Sequence, residues 1–308
     1  IFYLLNYKSF YLSHQLFPCQ ALKLFLRDNL FCVYDELHKY INAGLRLQIE
    51  KIHDLDVVKG ILALTASPDN IFDPSIDGGF WDNIHIHHMD EYNEDNYVGC
   101  ADMEYNLDDE SSMNHAHLVT PEEFEDYARL GDKGKECVGY IKSVLMKHPD
   151  ILAAGSRSFI PAHIRCVTHT AVRTLIFATA PNAVVVVING LEKTLQYKDE
   201  GNTKTHLLNT GNTVEVSERL SNLIHEHNLQ DRPLVITGFN CIGMGQTLTH
   251  KDLGSFTSAI FSHLDLSNDE DYQLFGRITG RMKDWTKYVQ TRVYCPTKFM
   301  YRCRAMEE

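Results

Sequence analysis

Short apolar runs that end abruptly in polar or small residues are the feature that most limits how this chain can fold. The clearest of them cover residues 31–34, 60–64, 184–188 and 234–236. Each run has the length of one buried strand, and helical patterns at residues 167–178 and 216–227 separate the later ones. Uniformly apolar strands that alternate with helices are typical of a parallel sheet covered on both faces. The sequence therefore predicts an α/β fold.

An acidic pair follows the first apolar run. Residues 31–38 read Phe-Cys-Val-Tyr-Asp-Glu-Leu-His, so Asp35 and Glu36 stand at the carboxyl end of the predicted strand. An aspartate at that position can hold Mg²⁺, and a neighbouring glutamate can polarise an attacking water. The same two acids could instead cap a helix that begins at Leu37, because negative side chains stabilise helix N-termini. Both interpretations fit the acidic pair taken by itself.

Small hydroxyl and glycine residues follow two other predicted strands. Thr65 and Ser67 follow the second run, while Thr237 and Gly238 follow the fourth and lead into the glycine-rich turn 243–247. Backbone N–H groups in such turns can meet the phosphate oxygens of a nucleotide or of a nucleic acid. An ordinary exit from a strand uses the same residue types, so neither segment identifies a ligand alone.

Two arginines near the C-terminus each follow a glycine. The chain reads Gln-Leu-Phe-Gly-Arg-Ile-Thr-Gly-Arg at residues 273–281, which places Arg277 and Arg281 four residues apart. On a helix, that spacing puts both guanidinium groups on one face, where their fixed fork of donors suits the terminal phosphates of a nucleotide. An amphipathic helix with two solvated arginines is the alternative.

The order of these segments resembles that of the superfamily 2 helicases of the DExH type. The acidic box at Asp35, the Thr-Ala-Ser segment, the Thr-Gly segment and the Gln-x-x-Gly-Arg-x-x-Gly-Arg segment follow one another as the motifs do in that family. Strand candidates at 157–162 and 184–190 fit a further motif and its neighbour. The similarity extends from about residue 30 to residue 285 and is closest to the helicases of large DNA viruses and phages.

The resemblance implies two RecA-like domains, each with a parallel sheet flanked by helices, and ATP with Mg²⁺ bound between them. It implies a catalytic set in which Asp35 holds Mg²⁺ and Glu36 orients water, completed by Gln273, Arg277 and Arg281. The residues implied in nucleotide binding are His38, Gly243, Gly245 and Gly276. Those implied in nucleic-acid contact or coupling are Thr65, Ser67, Thr237, Gly238, Gln246 and Thr247.

No phosphate-binding loop of the Gly-Lys-Thr/Ser type precedes Asp35 in the sequence. Lys8 and Ser9 form the only Lys-Ser pair there, and Tyr7 stands where the loop requires glycine. We expect either a truncated chain, whose missing part carries that loop, or a degenerate relative that does not bind ATP productively. The chain as given is therefore expected to lack hydrolase activity.

The length of the chain, 308 residues, favours two domains. We predict a first RecA-like domain at 1–118, incomplete at its start, then a helical connector at 119–150. A second RecA-like domain at 151–290 and a tail or final strand at 291–308 complete the prediction. The first helix of the connector should begin with Thr120 as N-cap, Pro121 in the first turn and Glu123 as capping-box partner.

Acidic residues are concentrated in one stretch. Residues 90–136 hold 15 acidic and 3 basic residues, and so account for the whole net charge of −12. We expect this stretch to face solvent as a connector. Nucleic acid would then be contacted through local groups, including backbone amides, rather than through a broad basic field.

The expected partner is DNA or RNA with a single-stranded tract, within a larger replication or transcription complex. No apolar run reaches the roughly 20 residues that a membrane-spanning helix needs, so we expect a soluble protein of the cytoplasm or nucleus, and a viral origin fits the resemblance. The eight cysteines include no Cys-x-x-Cys pair, which favours free thiols in a reducing compartment and no structural metal. Two other functions stay open: an inactive helicase-like scaffold, and the translocating subunit of a remodelling or restriction machine.

Overall fold

The structure is a computed structural model that describes residues 30–35, 58–64, 95–107, 115–208, 215–243, 248–262 and 266–307. The chain forms two compact units, residues 1–88 and residues 89–308. The predicted boundary at residue 118 lies later in the chain than this division.

The strands and helices follow the order that the apolar pattern predicts, and the structure contains further strands that the pattern did not predict. The strands are β1 Leu30–Asp35, β2 Val58–Leu64, β3 Tyr97–Val98, β4 Glu104–Leu107, β5 Arg157–Phe159, β6 Val184–Ile188, β7 Lys193–Asp199, β8 Asn202–Leu207, β9 Leu234–Gly238, β10 Ser258–Ile260, β11 Gly280–Arg281 and β12 Arg292–Cys295. The α-helices are α1 Tyr127–Lys147, α2 Cys166–Thr179, α3 Val216–Glu226, α4 Asn240–Gly243, α5 Asn268–Phe275 and α6 Thr297–Glu307.

The described part of the first unit consists of two parallel strands. β1 pairs with β2 from Leu30 to Asp35, and Asp35 lies opposite Leu64. The two strands therefore end at the same level.

The second unit is built on an eight-stranded sheet in the order β4-β12-β10-β5-β9-β6-β7-β8. The first six strands in that order are parallel, and the hairpin β7–β8 adds two antiparallel strands at one edge. Helices flank the sheet, as the predicted α/β class requires. The outermost strand at the other edge is β4, although its residues lie within the predicted first domain.

Burial explains why the central strands form. Every residue of β6 and β9 is buried, including the four consecutive valines of β6. β-Branched side chains suit a strand whose two faces are both covered. The polar hairpin strand β8 is held differently, because Glu200 and Gly201 both adopt positive φ angles of 48° and 80° and close a two-residue turn.

The long helix α1 begins later than the sequence predicts. Thr120 and Glu123 do form a capping contact, since the amide of Thr120 donates to Oε2 of Glu123 over 3.2 Å, but the residues around them form turns rather than a helix. The regular helix begins at Tyr127 and is kinked at Gly131, where φ is 65°. It then continues to Lys147, within the predicted connector, and buries its apolar face in the core of the second unit.

The charge pattern predicted that the whole acidic stretch faces solvent. The structure shows instead that part of it is buried. Within it, Val98, Cys100 and Met103 are buried at 1%, 1% and 5% exposure, and β4 joins the sheet. The apolar residues spaced among the acids anchor this segment, so counting charges alone misjudged it. The predicted tail likewise supplies a sheet strand, β12, and the helix α6.

Candidate functional site

The predicted Thr-Gly segment lies at the carboxyl end of β9, in the middle of the sheet. Thr237 pairs with Val187 and Gly238 with Ile188 of the neighbouring strand β6. A Cβ at position 238 would lie 2.2 Å from the backbone oxygen of Ile188. The glycine is therefore required by the close packing of two strands, whether or not a ligand approaches it.

The hydroxyl of Thr237 is the polar group of this segment that the fold leaves unsatisfied. The residue is 0% exposed, and its Oγ1 has no hydrogen-bond partner among the described residues. An unpaired buried hydroxyl costs about 1–3 kcal/mol. Retaining threonine at this position is therefore a cost to stability, which marks the carboxyl edge of β9 as a candidate site.

A second polar cluster lies beside it, after β6. Oδ1 of Asn189 accepts the amides of Leu191 at 2.8 Å and Glu192 at 2.9 Å, which fixes the turn after the strand. Nδ2 of Asn189 is then the group that faces Nδ1 of His169, 3.2 Å away on α2. The imidazole therefore accepts at Nδ1 and carries its proton at Nε2.

Burial keeps this imidazole neutral. His169 is 1% exposed, and removal from water lowers its pKa to about 4. Close by, both carboxylate oxygens of Glu192 accept from Arg173 at 3.0 and 3.1 Å, and Thr194 donates to the same carboxylate. His169 was not predicted from the sequence, because a single histidine within an apolar helix gives no pattern that distinguishes it.

The topology of the sheet makes its carboxyl edge a place where ligands can bind. The connection after β5 leads through α2 to β6 on one side, whereas the connection after β10 leads through α5 to β12 on the other. β5 and β10 are neighbours, so the strand order reverses between them. In open α/β sheets, ligands bind in the crevice outside the carboxyl ends of the strands at such a reversal.

The segment with the two arginines has a different structure from the one predicted. Ser267 caps α5 through a reciprocal contact with Glu270, and the helix ends at Phe275. Gly276 opens a short 3-10 turn that contains Arg277, and Arg281 lies in the strand β11. The prediction that the two arginines share one helix face is wrong, because the chain leaves the helix before the first of them.

The two groups of predicted residues lie at opposite ends of the sheet. α5 starts after the carboxyl end of β10, but the segment that follows it is held by residues that precede β4 and β12. The amides of Met282 and Lys283 donate to the oxygen of Asn96, and Lys283 also pairs with Asp102. Arg281 is thus tied to residues that precede the edge strand β4, whereas Thr237 and Gly238 are at the carboxyl end of β9.

Several predicted residues lie outside the part of the chain that the structure describes. These are Glu36, His38, Thr65, Ser67, Gly245, Gln246 and Thr247. Asp35 is described as the last residue of β1, and Gly243 as the last residue of α4. Gln273 is half-buried on α5, and Gly276 is exposed.

The described ranges contain no candidate metal site and no candidate membrane span. No group of three or more histidine, cysteine, aspartate or glutamate side chains in them could hold a metal ion. None of the helices in those ranges has the length and apolar character needed to cross a membrane. Comparison of the chain with protein-family models and with curated proteins gave no match.

Proposed function

We propose that this protein is a motor that hydrolyses ATP to move along, or to unwind, DNA or RNA. Its second unit would contribute two separate sites. The carboxyl edge around Thr237 and Gly238 would contact the phosphates of a nucleic acid. The segment from Gln273 to Arg281 would act on the nucleotide, with Mg²⁺ held by Asp35.

The observation that carries the proposal is the reversal of strand order at β5, next to a strand that ends in a Thr-Gly pair. β9 pairs with the other side of β5, so its terminal residues Thr237 and Gly238 lie one strand away from the reversal, at the same carboxyl edge. The unpaired hydroxyl of Thr237 is a donor that a phosphate oxygen could accept. A sheet that served only as scaffold would be more stable with an apolar residue there.

The pairing in the first unit gives independent support. Asp35 lies opposite Leu64, so the acidic box and the Thr-Ala-Ser segment follow, in the sequence, two adjacent strands that end at one level. That arrangement would let the hydroxyl residues sense the state of the acidic box, as a nucleotide-dependent motor requires. An Asp35 at the carboxyl end of a parallel strand also suits a ligand of Mg²⁺.

The separation of the two sites in the second unit fits a motor, which binds two ligands, better than a protein that binds a single ligand. A nucleotide and a nucleic-acid strand are different ligands, and each needs its own donors. Arginine next to a transferred phosphoryl group stabilises charge that develops in the transition state. An exposed strand residue such as Arg281 can make that contact with a nucleotide held elsewhere.

The test is ATP hydrolysis with and without single-stranded DNA or RNA. The assay uses the complete protein, with any residues encoded ahead of Ile1, because this chemistry needs a phosphate-binding loop. We expect nucleic acid to stimulate turnover, and Arg281→Ala to lower kcat by about 10³-fold or more while ATP binding weakens but persists. Arg129→Ala is the matched control, since Arg129 is exposed and, in the described residues, its side chain pairs with the nearby Asp126, which precedes α1.

Two outcomes would contradict the proposal in different ways. Normal turnover in Arg281→Ala would remove the arginine from the mechanism. Binding of nucleic acid without any ATP hydrolysis by the complete protein would favour the inactive scaffold. A strand-displacement assay then separates an unwinding enzyme from a translocating subunit that shares the same ATP chemistry.

A further inference from the structure

The strand that carries Arg281 is held by a segment from the other end of the second unit. We call this arrangement the clasp, and define it as residues 96–102 together with residues 280–290. Residues 96–102 lie just inside the start of the second unit, whose first residue is Met89. They belong to the acidic stretch for which the sequence indicated no role in the site.

Backbone hydrogen bonds form the first part of the clasp. β3 and β11 are antiparallel, with Tyr97 opposite Arg281 and Val98 opposite Gly280. The backbone oxygen of Asn96 then accepts two further amides, those of Met282 at 3.1 Å and Lys283 at 3.0 Å. The backbone on both sides of Arg281 is thereby fixed to residues 96–98.

A ladder of two residues is too short to be stable by itself, so side chains must support it. Val98 and Met282 are each 1% exposed and anchor the two strands in the core. Nζ of Lys283 lies 2.7 Å from Oδ1 of Asp102, and Gln290 donates to the backbone oxygen of Asp102 at 2.9 Å. These contacts join the two sides of the clasp beyond the ladder.

Asp102 is the centre of this network. Its other carboxylate oxygen accepts the amide of Gly99 at 2.9 Å and so fixes the turn that joins β3 to β4. Burial alone would raise the pKa of the Asp102 carboxyl, but the contacts with Lys283 and Gly99 outweigh it and hold the pKa below its usual value. The ionised carboxylate is thus the form that the folded clasp favours.

We propose that Asp102 and Lys283 are positioning residues that hold Arg281 in place by fixing the strand β11. The part of this proposal that concerns catalysis rests on the proposed function. Through the clasp, the segment that enters the second unit is tied to the arginine that would act on ATP. Neither positioning residue needs to touch the nucleotide, because each acts through the backbone of residues 280–283.

The first experiment measures hydrogen exchange of backbone amides in the 308-residue chain. In Asp102→Asn, the side-chain amide oxygen can still accept a hydrogen bond from the backbone amide of Gly99. The negative charge that holds Lys283 is lost. We expect the amides of Met282 and Lys283 to exchange about tenfold faster in this variant, while those of Val185 and Val235 in the central strands are unchanged. Asp126→Asn, which removes an exposed ion pair with Arg129, is the matched control.

Lys283→Arg adds a conservative variant, because arginine retains the ion pair with Asp102. We expect it to keep the amide of Met282 as protected as in the wild type. Equal exchange rates at Met282 and Lys283 in the wild type and in Asp102→Asn would overturn the proposal. Faster exchange across the whole second unit would also count against it, since that would indicate general destabilisation.

The second experiment measures ATP turnover of the complete protein. We expect Asp102→Asn to lower kcat about tenfold with little change in KM for ATP, because a misplaced arginine affects the transition state more than binding. If the amides of Met282 and Lys283 exchange faster in Asp102→Asn but kcat is normal, the clasp does not position Arg281. If the wild type does not hydrolyse ATP, the proposed function fails, and the exchange result alone decides whether Asp102 and Lys283 hold β11.

Discussion

At the scale of a single residue, Thr237 indicates a site because a buried hydroxyl without a hydrogen bond lowers stability. Its hydroxyl is fully buried, and among the described residues it makes no hydrogen bond. Valine has nearly the same shape and no polar group. Valine could replace Thr237 without change of shape and with a gain in stability. The hydroxyl therefore points to a second role, and contact with phosphate is the role we propose.

Thr237→Val tests that reason. Removal of an unsatisfied hydroxyl should raise the free energy of unfolding by about 1 kcal/mol, as measured by denaturant titration. The same variant should bind single-stranded oligonucleotide several-fold more weakly, because the donor to the phosphate is lost. Unchanged binding together with higher stability would mean that the hydroxyl has no ligand.

The two predicted glycines differ in what the fold demands of them. Gly238 cannot accept a Cβ, because the carbonyl of Ile188 is in the way. Gly276 has an ordinary helical φ of −55°, and the nearest atom to a Cβ there, Oγ1 of Thr279, is 4.0 Å away. The described part of the fold therefore does not by itself require glycine at 276.

Gly276→Ala tests whether a ligand requires glycine at this position. We expect its free energy of unfolding to stay within about 0.5 kcal/mol of the wild type, while ATP turnover of the complete protein falls because the methyl group blocks close approach of a phosphate. Gly190→Ala is the control for folding, since nothing lies within 4 Å of a Cβ at that position. Full turnover in Gly276→Ala would show that no ligand needs this glycine.

At the scale of elements, the sequence predicted those parts of the fold whose residues are buried and uniform in character. The boundaries of α2 and α3 and the position of β6 agree with the structure to within about two residues. The strands β4 and β8 were missed, because they are partly or largely exposed and contain polar residues. Their place in the sheet depends on distant strands, which a local pattern does not show.

The candidate site was predictable to a similar degree. Thr237 and Gly238 were found because they end a buried strand. His169 was not, since its role depends on Asn189, which approaches it only in the folded sheet. The path of the arginine segment was predicted wrongly, because helical spacing was assumed to continue through two glycines and β11 is held by contacts far away in the chain.

The contact between α5 and α6 leads to a prediction about pH. Asp271 on α5 accepts from Arg302 on α6 at 2.8 Å and is 4% exposed. Burial raises the pKa of Asp271 to about 6, and the hydrogen bond from Arg302 only partly opposes this. The folded chain therefore holds this proton up to a higher pH than the unfolded chain does.

The sign of the effect follows from linkage. Between pH 4 and 6 the unfolded state loses the proton of Asp271 first, so the free energy of unfolding should fall as pH rises, by up to about 3 kcal/mol. Asp271→Asn cannot ionise, and its stability curve should lack this slope. Asp126→Asn is the exposed control. Parallel curves for the wild type and Asp271→Asn, measured by denaturant unfolding at each pH, would contradict the assignment.

At the scale of the whole molecule, charge limits how nucleic acid can be held. The net charge is −12, and residues 90–136 account for all of it. Part of that stretch is built into the second unit through β3 and β4 rather than extended into solvent. A long-range basic field is therefore not available, and contacts with phosphate must be few and local.

The dependence of binding on salt should reflect this. Each phosphate of a single strand that a cation neutralises contributes a slope of about −0.7 to the plot of log affinity against log salt. With about two such contacts, affinity should fall roughly sevenfold between 50 and 200 mM salt. A fall of about a hundredfold or more, measured with a labelled oligonucleotide, would require about five contacts and would contradict a local mode of binding.

The pairing of β4 with β12 has a consequence for synthesis on the ribosome. Glu104 pairs with Arg292, and among the described strands β12 is the one neighbour of β4 in the sheet. At about 5–20 residues per second, translation reaches β12 on the order of 10 to 40 seconds after β4 has been made. During that interval the strand that will close one edge of the sheet is finished but has no partner. Assembly of the second unit is thus expected to be completed only after β12 has been synthesised.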